Sequence, residues 1–182
     1  MATIKESKRS VAIWALIGAL VIAAWFLVSV TQAMAETKTV KYKATSYVTK
    51  AEFMPVFDEK GHVIGMLERR GVAVFETGEV AAYLMRATFD LIKRQGPVQG
   101  YSQVTYKDGS TTVYKWQSNL SLPPEWKLGF VEGKGEYIIG TGRFKGIKGT
   151  VSWTGRYITL PGKETKGDMY KEVTSTYTLP SQ

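Results

Sequence analysis

From Thr37 onward the chain repeats one local pattern: short runs of Val, Ile, Thr, Tyr and Phe, broken at intervals by glycine. Branched and aromatic side chains suit the pleated, half-buried surface of a strand, where successive side chains point to opposite faces. Val40, Tyr42 and Ala44 alternate with Lys41 and Lys43, which reads as a half-buried first strand. Glu59-Lys60-Gly61 reads as a turn, followed by an extended stretch through His62, Ile64 and Met66, and Gly71 then restarts the chain into 72–77. Gln95-Gly96-Pro97 reads as a loop and 101–107 as a strand, with Asp108-Gly109 as a hairpin turn and 110–117 as the returning strand. Residues 119–127, with Pro123-Pro124, read as a further loop. Three more strands follow at 130–139, 150–158 and 169–179. Val173, Tyr177 and Leu179 face one way in the last of them, opposite Glu172, Thr174, Thr176 and Thr178.

The segment 80–93 fits two periods. Val80, Leu84, Ala87 and Leu91 would line one face of a helix, whereas Tyr83, Met85, Ala87, Phe89 and Leu91 alternate as in a strand. Its neighbours favour the strand. The count is then roughly eight strands without a long helix, an all-β chain that closes into a barrel or stacks as a sandwich. An antiparallel barrel is the expected solution, because closure leaves no exposed edge strand.

The first 35 residues differ in kind. Lys5, Lys8 and Arg9 precede an uninterrupted apolar run from Val11 to Val30, and Ala33-Met34-Ala35 supplies small residues where a signal peptidase cuts. This reads as a signal peptide, with 36–182 as the exported β-barrel domain beginning at Glu36. The alternative is an uncleaved anchor helix, since a run of about 20 apolar residues can span a bilayer. Either way the domain is expected to be periplasmic or secreted, touching a membrane only through the uncleaved segment. The chain has no cysteine, which removes disulfides, thiolate metal sites and a lipoprotein anchor. Its net charge of +8 is spread thinly, with neither a basic stripe nor a nucleic-acid motif, so no nucleic-acid partner is expected.

The most distinctive stretch is Gly133–Gly149, GKGEYIIGTGRFKGIKG. It resembles the Gly-Thr-Gly-x-Phe-x-x-x-x-Gly signature between two late strands of the allene oxide cyclase and dirigent barrel superfamily. In that resemblance Gly140 and Gly142 permit positive φ where a strand ends, Phe144 plugs the barrel end, and Gly146 and Gly149 start the next strand. The resemblance implies an eight-stranded antiparallel barrel with an apolar cavity, trimeric in the plant members, working without metal or cofactor. Those members cyclise an unsaturated epoxide or steer radical coupling. Outside the signature no residue-by-residue match carries their functional groups onto this chain.

No catalytic constellation stands out. His62 is the only histidine and reads as an exposed loop residue. Glu76 and Glu79 straddle Gly78, and would form an acid/base pair only if both pointed into a barrel mouth. Arg86 and Asp90 would pair on a helix but lie about 13 Å apart on a strand, where an inward Arg86 would clamp a ligand. Tyr106, Tyr114 and Trp116 share one face of their hairpin, and Trp153, Tyr157 and Tyr177 one face of theirs. Large rings fill a small barrel, and their polar tips also suit a flat apolar ligand. The candidate ligand-binding set is therefore Arg86, Tyr106, Tyr114, Trp116, Trp153 and Tyr157. The expected function is binding of a small hydrophobic ligand or a structural role without catalysis or cofactor. A cofactor-free isomerase or cyclase is the alternative, and a homo-oligomer built on barrel faces is a further expectation.

Overall fold

The computed structural model describes residues 36–122, 129–158 and 167–180. The leader, Pro123-Pro124 and residues 159–166 lie outside the described residues. Eight strands in chain order form a closed antiparallel barrel, each paired with its sequence neighbours and β8 with β1. They are β1 (Thr37–Pro55), β2 (His62–Phe75), β3 (Val80–Ile92), β4 (Gln95–Thr105), β5 (Thr111–Ser121), β6 (Phe130–Gly140), β7 (Lys148–Tyr157) and β8 (Met169–Thr178). No helix among the described residues is long and apolar enough to cross a membrane.

The two-sided segment is strand β3, and its apolar odd positions 81–89 all face inward. Three expectations are corrected. Gly71 does not restart the chain, because β2 runs unbroken through it. At this position the β1 backbone comes so close that a Cβ would overlap the Thr45 carbonyl oxygen. The loop expected at Gln95-Gly96-Pro97 lies two residues earlier, at Lys93 and Arg94, which turn the hairpin with φ of 49° and 71°. Side-chain-bearing residues rarely take positive φ, so no Asn-Gly signal marks this turn. Pro97 sits inside β4, where β3–β4 pairing skips from Phe89↔Val98 to Ile92↔Gln95, as expected of a residue without an N–H. Finally, Asn119 belongs to β5.

The barrel's two ends differ. One carries the turns at 76–79 and 106–110 and the connection Gly142–Phe144, a single 3₁₀ turn. There Tyr42, Phe75, Tyr106, Phe144 and Tyr177 form a chain of rings, with centroids 4.8, 5.4, 4.6 and 6.2 Å apart in that order. Phe144 is buried and closes this end, as the signature implies. Gly142 has φ of 56° and lets the chain reverse, whereas Gly140 lacks the positive φ expected of it. Gly140 is instead a close approach, where a Cβ would meet the Phe144 carbonyl and the Ile147 side chain. The opposite end carries the turns at 56–61 and 93–94.

Candidate functional site

The inward faces mix small and large side chains. β1 to β4 bury Ala44, Ser46, Ala73, Ala81, Ala87 and Ser102 beside Tyr42, Phe75, Tyr83 and Phe89, while β5 to β8 bury Tyr114, Trp116 and Trp153 beside Thr112 and Ser175. Rings thus fill the space that the small residues leave. Within this packing sit two cations. Arg69 on β2 is 1 % exposed and Lys171 on β8 is 4 % exposed, both at inward positions of the register.

Arg69 is well satisfied. Its Nε donates to Ser46 Oγ at 3.2 Å, and its Nη2 to the backbone carbonyls of Ser46, at 3.0 Å, and Gly167. Its guanidinium lies 5.7 Å from the Tyr157 ring centre, and Asp168 lends it favourable electrostatics. Lys171 is different. Its Nζ lies 4.7, 5.5 and 5.9 Å from the ring centres of Trp153, Trp116 and Tyr83, donates to Met85 Sδ at 3.8 Å and hydrogen-bonds with the Tyr83 hydroxyl. No carboxylate among the described residues pairs with it. Trp116 Nε1, in the same cage, is buried and has no hydrogen-bond partner among the described residues.

The cage exists because glycines line it. A Cβ at Gly155 would come within 2.9 Å of Lys171 Cγ, and one at Gly100 within 2.9 Å of the Trp116 ring. A Cβ at Gly133 would overlap the Trp153 indole. Energetics set the state of the amine. A buried, unpaired ammonium costs several kcal/mol, and desolvated cation–π contacts return only about 2 kcal/mol. Burial, with Arg69 adding repulsion, therefore holds Lys171 below the usual lysine range. For the Tyr83 phenol burial acts upward, but the Lys171 charge and the hydrogen bond with Ser102 Oγ at 3.0 Å draw it below its ordinary value. Around this pair lies a set of buried hydroxyls. Tyr42 and Tyr114 meet at 3.4 Å, and Tyr137 meets Ser175 at 2.6 Å, with burial pushing the Tyr137 phenol up to about 12.

Of the residues singled out from sequence, Tyr114, Trp116, Trp153 and Tyr157 face the interior with this cage, while Tyr106 belongs to the closed aromatic end. Arg86 does not enter the barrel. It lies at an even, outward position of β3 and bonds Glu68 at 3.0 Å, so the inward clamp is corrected. Glu76 and Glu79 form no acid/base pair, because Arg143 grips both Glu79 carboxylate oxygens at 2.6 and 2.7 Å. His62 is no free loop residue. It starts β2 on the outer face, held between Asp58 at 2.6 Å and Asp90 at 2.7 Å. No group of His, Asp and Glu among the described residues is arranged to hold a metal ion.

Arg69 and Lys171 are absent from the sequence-derived candidates, although the register marks both. Lys171 falls on the same alternation as Val173 and Tyr177, and Arg69 on that of Leu67, Ala73 and Phe75.

The fold has counterparts among solved structures. The pterocarpan synthase dirigent protein GePTS1 superposes with a TM-score of 0.44 at 12% identity, over 83% of this chain and 90% of that chain. A second pterocarpan synthase dirigent protein, PsPTS1, gives 0.45 at 12% identity, over 81% and 97% respectively. No family model matches the sequence, and no curated protein does.

Proposed function

We propose that this is an exported binding barrel that takes a small, flat, largely apolar molecule carrying an oxygen acceptor, either a carboxylate or a carbonyl. The observation that carries this is the Lys171 cage: a buried amine with no carboxylate partner among the described residues and an orphaned indole N–H, both against the same rings. Both groups donate; the indole N–H has no acceptor among the described residues and the amine has only the Tyr83 hydroxyl and Met85 Sδ, so an acceptor-bearing ligand would offset the cost of burying them. The surrounding Trp116, Trp153 and Tyr157 rings suit its flat apolar body. Export rests on the basic-then-apolar leader ending in Ala33-Met34-Ala35. A second reading, an isomerase or cyclase that needs no cofactor, is favoured by Tyr83 beside Lys171, a phenol and an amine both held below their ordinary values.

The test is tryptophan fluorescence of the purified protein titrated with 2-naphthoate and, separately, with 2-naphthamide. Saturable quenching by both, tighter for the carboxylate, is expected. Absence of saturable quenching by either would remove the binding function.

A further inference from the structure

We propose that Lys171 is a carbonyl-capturing amine, joining an aromatic aldehyde or ketone ligand to the barrel as an imine. This rests on the reading that the barrel interior admits a ligand. The step needs an uncharged amine, a place for an aromatic body, and a proton donor for the departing oxygen. The cage supplies each from a different strand.

The amine is provided by geometry first. Lys171 Nζ has the rings of Trp153, Trp116 and Tyr83 around it, a thioether at 3.8 Å and the Tyr83 hydroxyl as its hydrogen-bonding neighbour, and no carboxylate among the described residues holds a proton on it. The other interior cation among the described residues, Arg69, keeps its own hydrogen bonds to Ser46 and Gly167 and adds repulsion. These are the surroundings in which lysines become nucleophiles, whereas the lysines on the outer face of this barrel are solvated ammonium groups. The aromatic body has the Trp116 and Trp153 faces, which meet edge-on with centroids 5.5 Å apart. The proton donor is Tyr83, whose phenol is held by Ser102. Trp116 Nε1, lacking an acceptor, is placed to donate a hydrogen bond to the carbonyl oxygen as negative charge builds on it.

The bonds balance as follows. The Nζ lone pair attacks the carbonyl carbon, and the π pair moves to oxygen, which takes up a proton; nitrogen gives up one, leaving a neutral carbinolamine. The Nζ lone pair then forms the C=N bond while the C–O bond breaks. The hydroxyl leaves as water with a proton from the Tyr83 side, and nitrogen returns its remaining proton to the phenolate. Amine and carbonyl compound give imine and water, with no change in oxidation state.

The experiment treats the folded protein with 2-naphthaldehyde and sodium cyanoborohydride at neutral pH, followed by intact mass and peptide mapping. The expected result is one reduced adduct per chain, on Lys171, forming at least about tenfold faster than on surface lysines, since each unit by which an amine pKa falls gives about tenfold more free amine. Excess 2-naphthoate should slow it in the wild-type protein, which needs no variant to fold. Lys171→Arg should lose the adduct, and Lys115→Arg, on the outer face, should keep it. Adducts on surface lysines alone, in protein that binds 2-naphthoate saturably, would overturn the capture and leave the binding reading standing. Labelling of Lys171 only in urea-unfolded protein would overturn it equally. If neither naphthoate binding nor an adduct is seen, both readings fall.

Discussion

The two ends of this barrel use the same rings against opposite electrostatic backgrounds. At the Phe144 end, Tyr42, Phe75, Tyr106 and Tyr177 pack around Phe144 with no charged group inside. Arg143 lies across the outside, 4.6 Å from the Tyr106 ring centre and paired with Glu79 and Asp108. Toward the other end, Trp116, Trp153 and Tyr157 surround two interior cations. Rings stacked on rings stabilise a fold at little desolvation cost, whereas rings around an unpaired lysine do not recover what burial of that charge costs. One end therefore holds the barrel closed. The other keeps groups that folding alone does not ask for, which is where function is expected.

The largest test of this contrast is Phe144→Ala. Truncating a buried ring that bridges Tyr106 and Tyr177 should destabilise the fold by about 3–5 kcal/mol, read as a lower urea midpoint. Lys171→Met should move the midpoint the other way, stabilising by about 1–4 kcal/mol at pH 7, because a chain-like apolar side chain fills the cage without the charge. The pH dependence separates this from better packing alone. With Lys171 held below the ordinary 10.5 in the folded state, the unfolded chain binds the extra proton between the two values. Wild-type stability should then rise as pH climbs from the folded value to the unfolded one, and the Met variant should lack that rise. A destabilised Met variant would mean that the cage depends on the ammonium for its structure, and the two ends would no longer differ in kind.

Much of the closed end was legible from sequence, for physical reasons. Asp108-Gly109 between alternating runs specifies a hairpin, Gly142 takes the positive φ that the reversal needs, and Phe144 has nowhere apolar to go but the barrel end. The cationic end was harder to read. Lysine and arginine are usually solvated, so their residue types hide Lys171 and Arg69 although their register points inward. Arg86 is the cation that the sequence offers as a ligand contact. Yet the unbroken apolar odd positions of β3 already send even positions outward, and Arg86 is even. The glycines at 100, 133 and 155 make room for the cage, and only a three-dimensional register shows which opposing side chain each one faces.

The smallest effect expected lies outside the barrel wall, at the turn beside the cationic end. His62 donates or accepts at both ring nitrogens, between Asp58 and Asp90, and the hydrogen bonds to Asp90 and then Asp58 raise its pKa above the usual 6.5. The hydrogen bond with His62 in turn lowers Asp58 below 3.8. A raised folded value means that the His62 contribution is complete below 6.5 and is lost as pH climbs through the folded pKa. A lowered Asp58 means that its contribution is present above 3.8 and is lost as pH falls through the depressed value. The clamp is thus at full strength between 3.8 and 6.5, and its slope above that window is opposite in sign to that of Lys171. Because these groups are solvated, the readout is local rather than global. Two backbone bonds report on the turn, Val56 N–H to His62 and Lys93 N–H to Gly61. Hydrogen exchange at those two amides, corrected for intrinsic rate, should lose protection as pH passes the His62 titration, while amides of the Phe144 end stay constant. His62→Gln should flatten the response. Equal loss of protection at both ends would show that the barrel titrates as one unit, and the division between a structural end and a chemical end would fail.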